Sequence, residues 1–212
     1  MHTVVQKLLV GLGNPGAPYA RNRHNVGFAV VDHLCEMAQV VMTARFWGEY
    51  GCMGMEGQLL GLLKPVTYMN RSGLAVREAA ESLGLRSEDI VVVHDDVDLP
   101  LMRMRIRRRG SNAGHLGVAS IIEQLGTEEF VRVRIGIGRP LDGDVRSYVL
   151  GDFTPQEREH IARLILQCEE AVRTLLRSGV QESMYLSGCL CLTTRKLKSF
   201  QKENWTGQPS VT

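Results

Sequence analysis

The sequence predicts a single-domain α/β fold, in which a mixed sheet packs between layers of helices. Three observations predict it. The chain has 212 residues, 44% of them hydrophobic, enough for one sizeable core and short for two. Apolar, β-branched runs alternate along it with segments of helical spacing, the order that builds parallel α/β sheets. One pair of runs is separated only by Glu56-Gly57, a hairpin connection, so an antiparallel pair must join the parallel strands.

Taken in order, residues 7–11 read Lys-Leu-Leu-Val-Gly, an apolar run ending in glycine and hence a buried strand, followed by a Gly-, Pro- and Asn-rich loop to residue 22. Val26, Val30, Leu34 and Met37 fall at helical spacing, predicting a helix over 26–37 with Asn25 as its cap. Residues 46–55 and 58–64 form the hairpin strands. After Pro65 a helix is expected over 68–83, stopped by Gly84. Ile90-Val91-Val92-Val93 suits a central strand and ends in His94-Asp95-Asp96-Val97-Asp98. There follow a strand over 102–108, a glycine-containing loop over 110–117, a helix over 118–125 and an alternating strand over 130–137. Thr154-Pro155-Gln156-Glu157 is a capping box with proline at the first helical position, opening a helix to residue 177; a last helix covers 180–186. Beyond the body of residues 1–194, residues 195–212 are basic, polar and without periodicity, which predicts a mobile tail.

With 25 basic and 23 acidic side chains the formal charge is only +2, so affinity for a polyanion has to come from local clustering. The odd set Cys35, Cys52, Cys168, Cys189 and Cys191 is scattered through apolar patterns and is expected to be reduced; no second Cys or His cluster accompanies Cys189-Leu190-Cys191 to complete a metal site. No stretch approaches the roughly 18 apolar residues of a membrane helix. The chain runs from Met1-His2-Thr3 almost directly into a core strand, so a cytoplasmic protein without an export signal is expected.

Gly11-Leu12-Gly13-Asn14-Pro15-Gly16 matches the dinucleotide fingerprint but not its context. Pro15 and Pro18 delay the helix, and Asp32 and Glu36 fall inside that helix rather than at a strand end. What the loop does is present Asn14, Tyr19, Arg21, Arg23 and His24 near the C-terminal end of a core strand, the edge where α/β sites gather. Asp95 ends another buried strand and can face the same crevice. A carboxylate bonded to one imidazole nitrogen fixes the tautomer and frees the other nitrogen to take a proton from water, which makes His24 and Asp95 a candidate general-base pair. Asp95, Asp96 and Asp98 are alternatively a divalent-metal site, although no matching acidic or His cluster lies elsewhere. Asn70 can donate to an oxyanion, hold a water, or cap its helix. Arg103, Arg105, Arg107 and Arg109 share one face of a predicted strand, while Met104 and Ile106 face the core. Such a ridge is either a solvated sheet face or a phosphate-binding surface, and Arg132 and Arg134 repeat it on the strand after Phe130.

In these motifs the chain resembles the bacterial-type peptidyl-tRNA hydrolases. The similarity runs over residues 8–186. It is carried by Val10 to Gly16 with Tyr19 and Arg23-His24-Asn25, by Lys64-Pro65 through Tyr68-Met69-Asn70 and Ser72-Gly73, by His94 to Pro100, by Ala113-Gly114-His115, and by Arg134 to Pro140. The resemblance implies a twisted mixed sheet, a monomer without metal or cofactor, and peptidyl-tRNA as partner, hydrolysed at the ester joining the peptide to the 3′ ribose. By that likeness His24 is the base and Asp95 its orienting partner, Asn14 reads the blocked amino group, and Asn70 positions water or substrate. Tyr19, Tyr68 and Met69 would contact the terminal nucleotide or peptide, and His115, Arg107 and Arg134 the tRNA end and its phosphates. Leu116 stands where the family usually has asparagine; leucine cannot hydrogen-bond through its side chain, so a contact there is lost or transferred. The competing expectation is an RNA-binding relative impaired in hydrolysis, against which His24 and Asp95 argue.

Overall fold

Strand β1 (Val5–Gly11) lies at the middle of its sheet, which explains its unbroken apolar run: Leu8 and Val10 enter one core cluster and Leu9 the other. The computed structural model describes residues 4–140 and 143–187 of the chain. Cys189, Cys191 and the basic tail lie outside the described residues. The other strands are β2 (Thr43–Arg45), β3 (Gly48–Met55), β4 (Gln58–Pro65), β5 (Ile90–Asp96), β6 (Met104–Arg107) and β7 (Val131–Gly136). They form one seven-stranded sheet in the order β2-β3-β4-β1-β5-β7-β6. The central four strands run parallel, and antiparallel pairs close both flanks. The expected mixed sheet is therefore found.

Helices α1 (Val26–Ala38) and α5 (Pro155–Ser178) cover one face, packing Val30, Leu34, Ile161 and Ile165 around Leu9, Val91 and Val93. Helices α2 (Ser72–Leu83) and α3 (Leu116–Leu125) cover the other, with Val76, Ala79, Val118 and Ile121 against Leu8, Val10 and Val92. Among the described residues there are two shorter α-helices, α4 (Val145–Val149) and α6 (Val180–Leu186). The hairpin turn is a two-residue loop with Glu56 at φ 50° and Gly57 at φ 74°, the backbone that suits right-handed strand twist.

Several boundaries differ from the sequence reading. β2 was not expected, because its residues Thr43 to Arg45 are all exposed and give no alternation. Residues 69–71 form a separate 3₁₀ turn ahead of α2, and α3 starts at Leu116 rather than 118 because His115 caps it. Asn25 occupies the N-cap position of α1 but makes no capping bond; its side chain is spent elsewhere. Only Arg105 and Arg107 of the arginine ridge lie within β6, with Arg103 and Arg109 flanking it. α4 was missed, its signal being the single cap Asp144, which accepts from the Arg146 and Ser147 amides.

What positions the site is the neighbouring of β1 and β5. Their onward connections leave on opposite faces, β1 into α1 and β5 through β6 into α3, so a crevice opens between their C-terminal ends. Gly11 and Gly27 let α1 cross β1 at backbone contact. A Cβ on Gly27 would meet the Leu12 nitrogen and the Val93 carbonyl oxygen, both at 2.4 Å. Leu12 N–H bonds Val93 O at 2.9 Å and Phe28 N–H bonds Leu12 O at 3.2 Å, tying the start of α1 to both strands. Gly27→Ala is expected to destabilise the protein by about 1–3 kcal/mol through overpacking against backbone. The measurement is a urea titration, in which the midpoint falls while the slope stays unchanged.

Candidate active site

Asp95 is the next-to-last residue of β5 and its side chain is buried, and two histidines from different elements converge on one of its oxygens. His24, in the 3₁₀ turn that runs straight into α1, places Nδ1 2.8 Å from Asp95 Oδ1. His115, at the N-cap of α3, places Nε2 3.0 Å from the same atom. Its Nδ1 accepts the backbone N–H groups of Gly117 at 3.1 Å and Val118 at 3.3 Å. Backbone amides only donate, so the His115 proton must sit on Nε2 and is donated to Asp95. Burial would raise the Asp95 carboxyl, but His115 and then His24 hold it well below the usual carboxylate range. An ionised Asp95 likewise accepts a hydrogen bond from the Nδ1–H of His24, which leaves His24 Nε2 as the basic nitrogen.

Asn14 is set as firmly. Its backbone N–H donates to Asn25 Oδ1 and its carbonyl accepts from Asn25 Nδ2, both at 2.9 Å, while its Oδ1 accepts the Met69 N–H at 2.9 Å. The Met69 amide dictates which end of the Asn14 side chain is oxygen. A second lone pair on Oδ1 and the Nδ2 donors remain for a ligand. Tyr68, half exposed, holds φ 60°, a conformation that costs about 1–3 kcal/mol in a non-glycine residue and concentrates at functional positions. It turns the chain so that Asn70 is exposed in the 3₁₀ turn. The N-cap position of α2 is Arg71, so the helix-cap reading of Asn70 is corrected. Tyr19 meets Tyr68 edge to face at 6.5 Å.

These groups border one open cavity of about 950 Å³. Every residue given a site role by the family likeness borders it: His24, Asp95, Asn14 and Asn70, Tyr19, Tyr68 and Met69, and Arg107, His115, Leu116 and Arg134; Arg21, Arg23, Asp98, Arg103 and Arg105 do not. Leu116, in the first turn of α3, is 60% exposed there, so an apolar side chain stands beside the histidines. Sequence reasoning missed the hydrogen bond from His115 to Asp95 and the wall formed by Val145, Arg146, Val149 and Leu150. The first lacked any local signal because the two residues meet only through the crossover from β5 to α3.

The arginines divide into two kinds. Arg105 and Arg107 of β6 stand opposite Arg134 and Arg132 of β7, gathering four guanidiniums at this sheet edge. Arg105 and Arg107 are exposed. Arg132 is buried against the Phe130 ring at 4.3 Å, and burial lowers its affinity for a proton. Arg134 is paired with Asp96 through Nε and Oδ2. Asp98 pairs with Arg139. The alternative reading of Asp95, Asp96 and Asp98 as one metal site is therefore corrected: the three carboxylates serve the histidines, Arg134 and Arg139 in turn. Among the described residues the group able to ligate a metal is His24, Asp95 and His115. Its 2.8 and 3.0 Å separations are hydrogen-bond lengths, shorter than the roughly 3.3 Å between donors around a tetrahedral ion.

Comparison with known proteins gives a consistent picture. Residues 8–188 match the family described as Peptidyl-tRNA hydrolase. The peptidyl-tRNA hydrolase of Geobacillus kaustophilus is 47% identical over 173 residues, covering 79% of this chain and 93% of the relative. That of Geotalea daltonii is 44% identical over 181 residues, covering 85% and 95%. Among solved structures, the peptidyl-tRNA hydrolase of Acinetobacter baumannii superposes with a TM-score of 0.83 at 33% identity, covering 89% of this chain and 97% of that one.

His94 stands beside this centre without joining it. Its Nδ1 donates to the Asp95 carbonyl at 2.7 Å, and its ring lies edge-on to His115 at 4.7 Å. Burial first, and then the proximity of His115, push it down to about 3 from an ordinary 6.5, and its buried Nε2 has no partner. A histidine with a depressed folded value stabilises the fold fully above its unfolded value and loses that contribution as pH falls from about 6.5 to about 3. Replacing His94 with Gln is expected to flatten stability against pH in that window by up to about 1.4 kcal/mol per pH unit, read from denaturant midpoints of both proteins at matched pH.

Proposed function

The chain belongs to the peptidyl-tRNA hydrolase family, enzymes that cleave the ester between peptide and tRNA, and from that premise we propose that His24 is the general base of this hydrolysis. The observation that carries the proposal is the pair of hydrogen bonds from His24 and His115 to Asp95 Oδ1. Of these two imidazoles it leaves one nitrogen, His24 Nε2, able to take a proton inside the cavity.

A water bonded to Nε2 attacks the ester carbonyl as its proton passes to His24. Asp95 stabilises the resulting imidazolium and remains ionised. The oxyanion of the tetrahedral adduct takes hydrogen bonds from amide donors, for which Asn70 is the exposed one at the cavity. Collapse of the adduct breaks the bond to the ribose 3′ oxygen, and His24 returns the proton to that oxygen. The products are free tRNA and the peptide acid, which gives its remaining proton to solvent and leaves as a carboxylate. Asn14 presents its free Oδ1 lone pair to the N–H of a blocked amino group, which an ammonium group on unblocked aminoacyl-tRNA replaces with a hydrated charge.

Arg107 and Arg134 face the tRNA end, where guanidinium forks match phosphate oxygens. Tyr19, Tyr68 and Met69 offer ring and thioether surface to the terminal nucleotide or the peptide, with Leu116 adding apolar contact in place of an amide. On this reading the protein acts in the cytoplasm, where its substrate is, and needs no metal.

His24→Ala is expected to lower kcat for N-acetyl-aminoacyl-tRNA by about 10²–10⁴-fold while tRNA binding stays near wild type; a variant that turns over normally removes His24 from the mechanism. Chelator should leave the wild-type rate unchanged. For Arg107→Ala, a salt titration of tRNA binding should show weaker affinity and a slope of log Kd against log salt shallower by about one.

A further inference from the structure

Arg23, the residue before His24, is a buried cation with no part in the chemistry above. Its guanidinium carbon lies 4.3 Å from the centre of the Tyr148 ring and 5.5 Å from that of Phe153. Nη2 donates to Glu157 Oε2 at 2.8 Å, Nη1 to the Tyr148 carbonyl at 3.4 Å, and the backbone N–H to the Gly151 carbonyl at 3.0 Å. One position earlier, Asn22 Nδ2 donates to Asp152 Oδ1 at 2.8 Å. All these partners belong to α4, to the first turn of α5 or to the link between them. The Tyr148 hydroxyl in turn donates to the Ile137 carbonyl at 2.6 Å, so the ring under Arg23 is itself held.

The turn carrying His24 is thus gripped from two sides. Asp95 holds the imidazole, and Arg23 holds the backbone one residue away. Helix α4 contributes Val145, Arg146 and Val149 to the cavity wall while its Tyr148 supports Arg23. One guanidinium therefore joins the wall that a substrate touches to the turn that carries the base. Only arginine can do this, because its planar group stacks on a ring with its face while donating from its edge. Its Nε is buried without a partner, so the orientation is imposed by Tyr148 and Glu157 rather than by satisfaction of every donor. Glu157 Oε2 also accepts the Thr154 N–H at 2.7 Å, so the cap of α5 and the grip on Arg23 share one oxygen.

We propose that Arg23 is a positioning residue for the hydrolysis, setting the His24 imidazole over Asp95 through its contacts with Glu157 and Tyr148. The inference rests on His24 being the base, and it fails separately from that reading. A displaced base loses rate steeply, since a misplacement of about 1 Å costs roughly a hundredfold. The test compares Arg23→Lys and Glu157→Gln with wild type. Gln keeps an oxygen for the Thr154 amide and removes the charge.

Expected are a kcat at least tenfold lower, a KM for N-acetyl-aminoacyl-tRNA within about twofold of wild type, and a broadened downfield proton resonance of His24 Nδ1–H. The double variant should be no slower than the slower single variant. If Arg23→Lys fails to fold, Glu157→Gln and Tyr148→Leu carry the same readouts. A wild-type kcat in a folded variant overturns the proposal, as does a loss confined to KM, or one that matches the unfolded fraction with the resonance unmoved. None of these outcomes restores or removes His24 as base, which His24→Ala decides alone.

Discussion

A buried carboxylate is costly unless donors surround it, and the fold at Asp95 is organised around supplying them. The two imidazoles that do so come from elements far apart in the chain, His24 ahead of α1 and His115 at the cap of α3. Each is useful only if its own tautomer is settled. The start of α3 settles that of His115 by offering two backbone amides to Nδ1. His24 is settled by Asp95 itself. The close crossing at Gly11 and Gly27 brings the start of α1 near enough for the 2.8 Å bond, and the order of strands brings α3 in from the opposite face.

Around this centre the cavity lining combines two chemistries. Part of the lining is cationic, with Arg107, Arg132 and Arg134 along β6 and β7, and these charges are only partly answered from within. Asp96 takes Arg134 and Phe130 underlies Arg132, while Arg107 bonds nothing beyond a backbone carbonyl among the described residues. The same lining also holds exposed aromatic and apolar groups, Tyr68, Leu116 and Val145. A substrate that is an anionic nucleic acid at one end and a peptide at the other fits such a combination. Leu116 lies next to His115 with its side chain exposed, so it shapes the surface beside the imidazoles without entering the hydrogen bonds to Asp95.

The order of elements was legible because it depends on period and punctuation. The hairpin at Glu56-Gly57, the stop at Gly84 and the capping box at Thr154 are local devices, and each appears where the sequence predicts it. β2 and α4 were not legible, since one is three exposed residues and the other rests on a single capping aspartate. At the site, His24 and Asp95 were legible as residues that end up at one sheet edge. Asn25 stands at the N-cap of α1 as its sequence position suggests, but its side chain bonds Asn14 from across the loop instead of capping the helix.

By itself the sequence determined the α/β class, the family and the residue types gathered at the C-terminal edge of the sheet, since these follow from hydrophobic period and from motifs read along the chain. Which atoms meet was decided by the tertiary structure. Asp95 Oδ1 is shared by His24 and His115, Asp96 is given to Arg134, and Arg23 is clamped by Glu157 from 134 positions away. Hydrogen bonds and ion pairs act over about 3 Å, and only the crossing of strands and helices brings such distant positions within that reach.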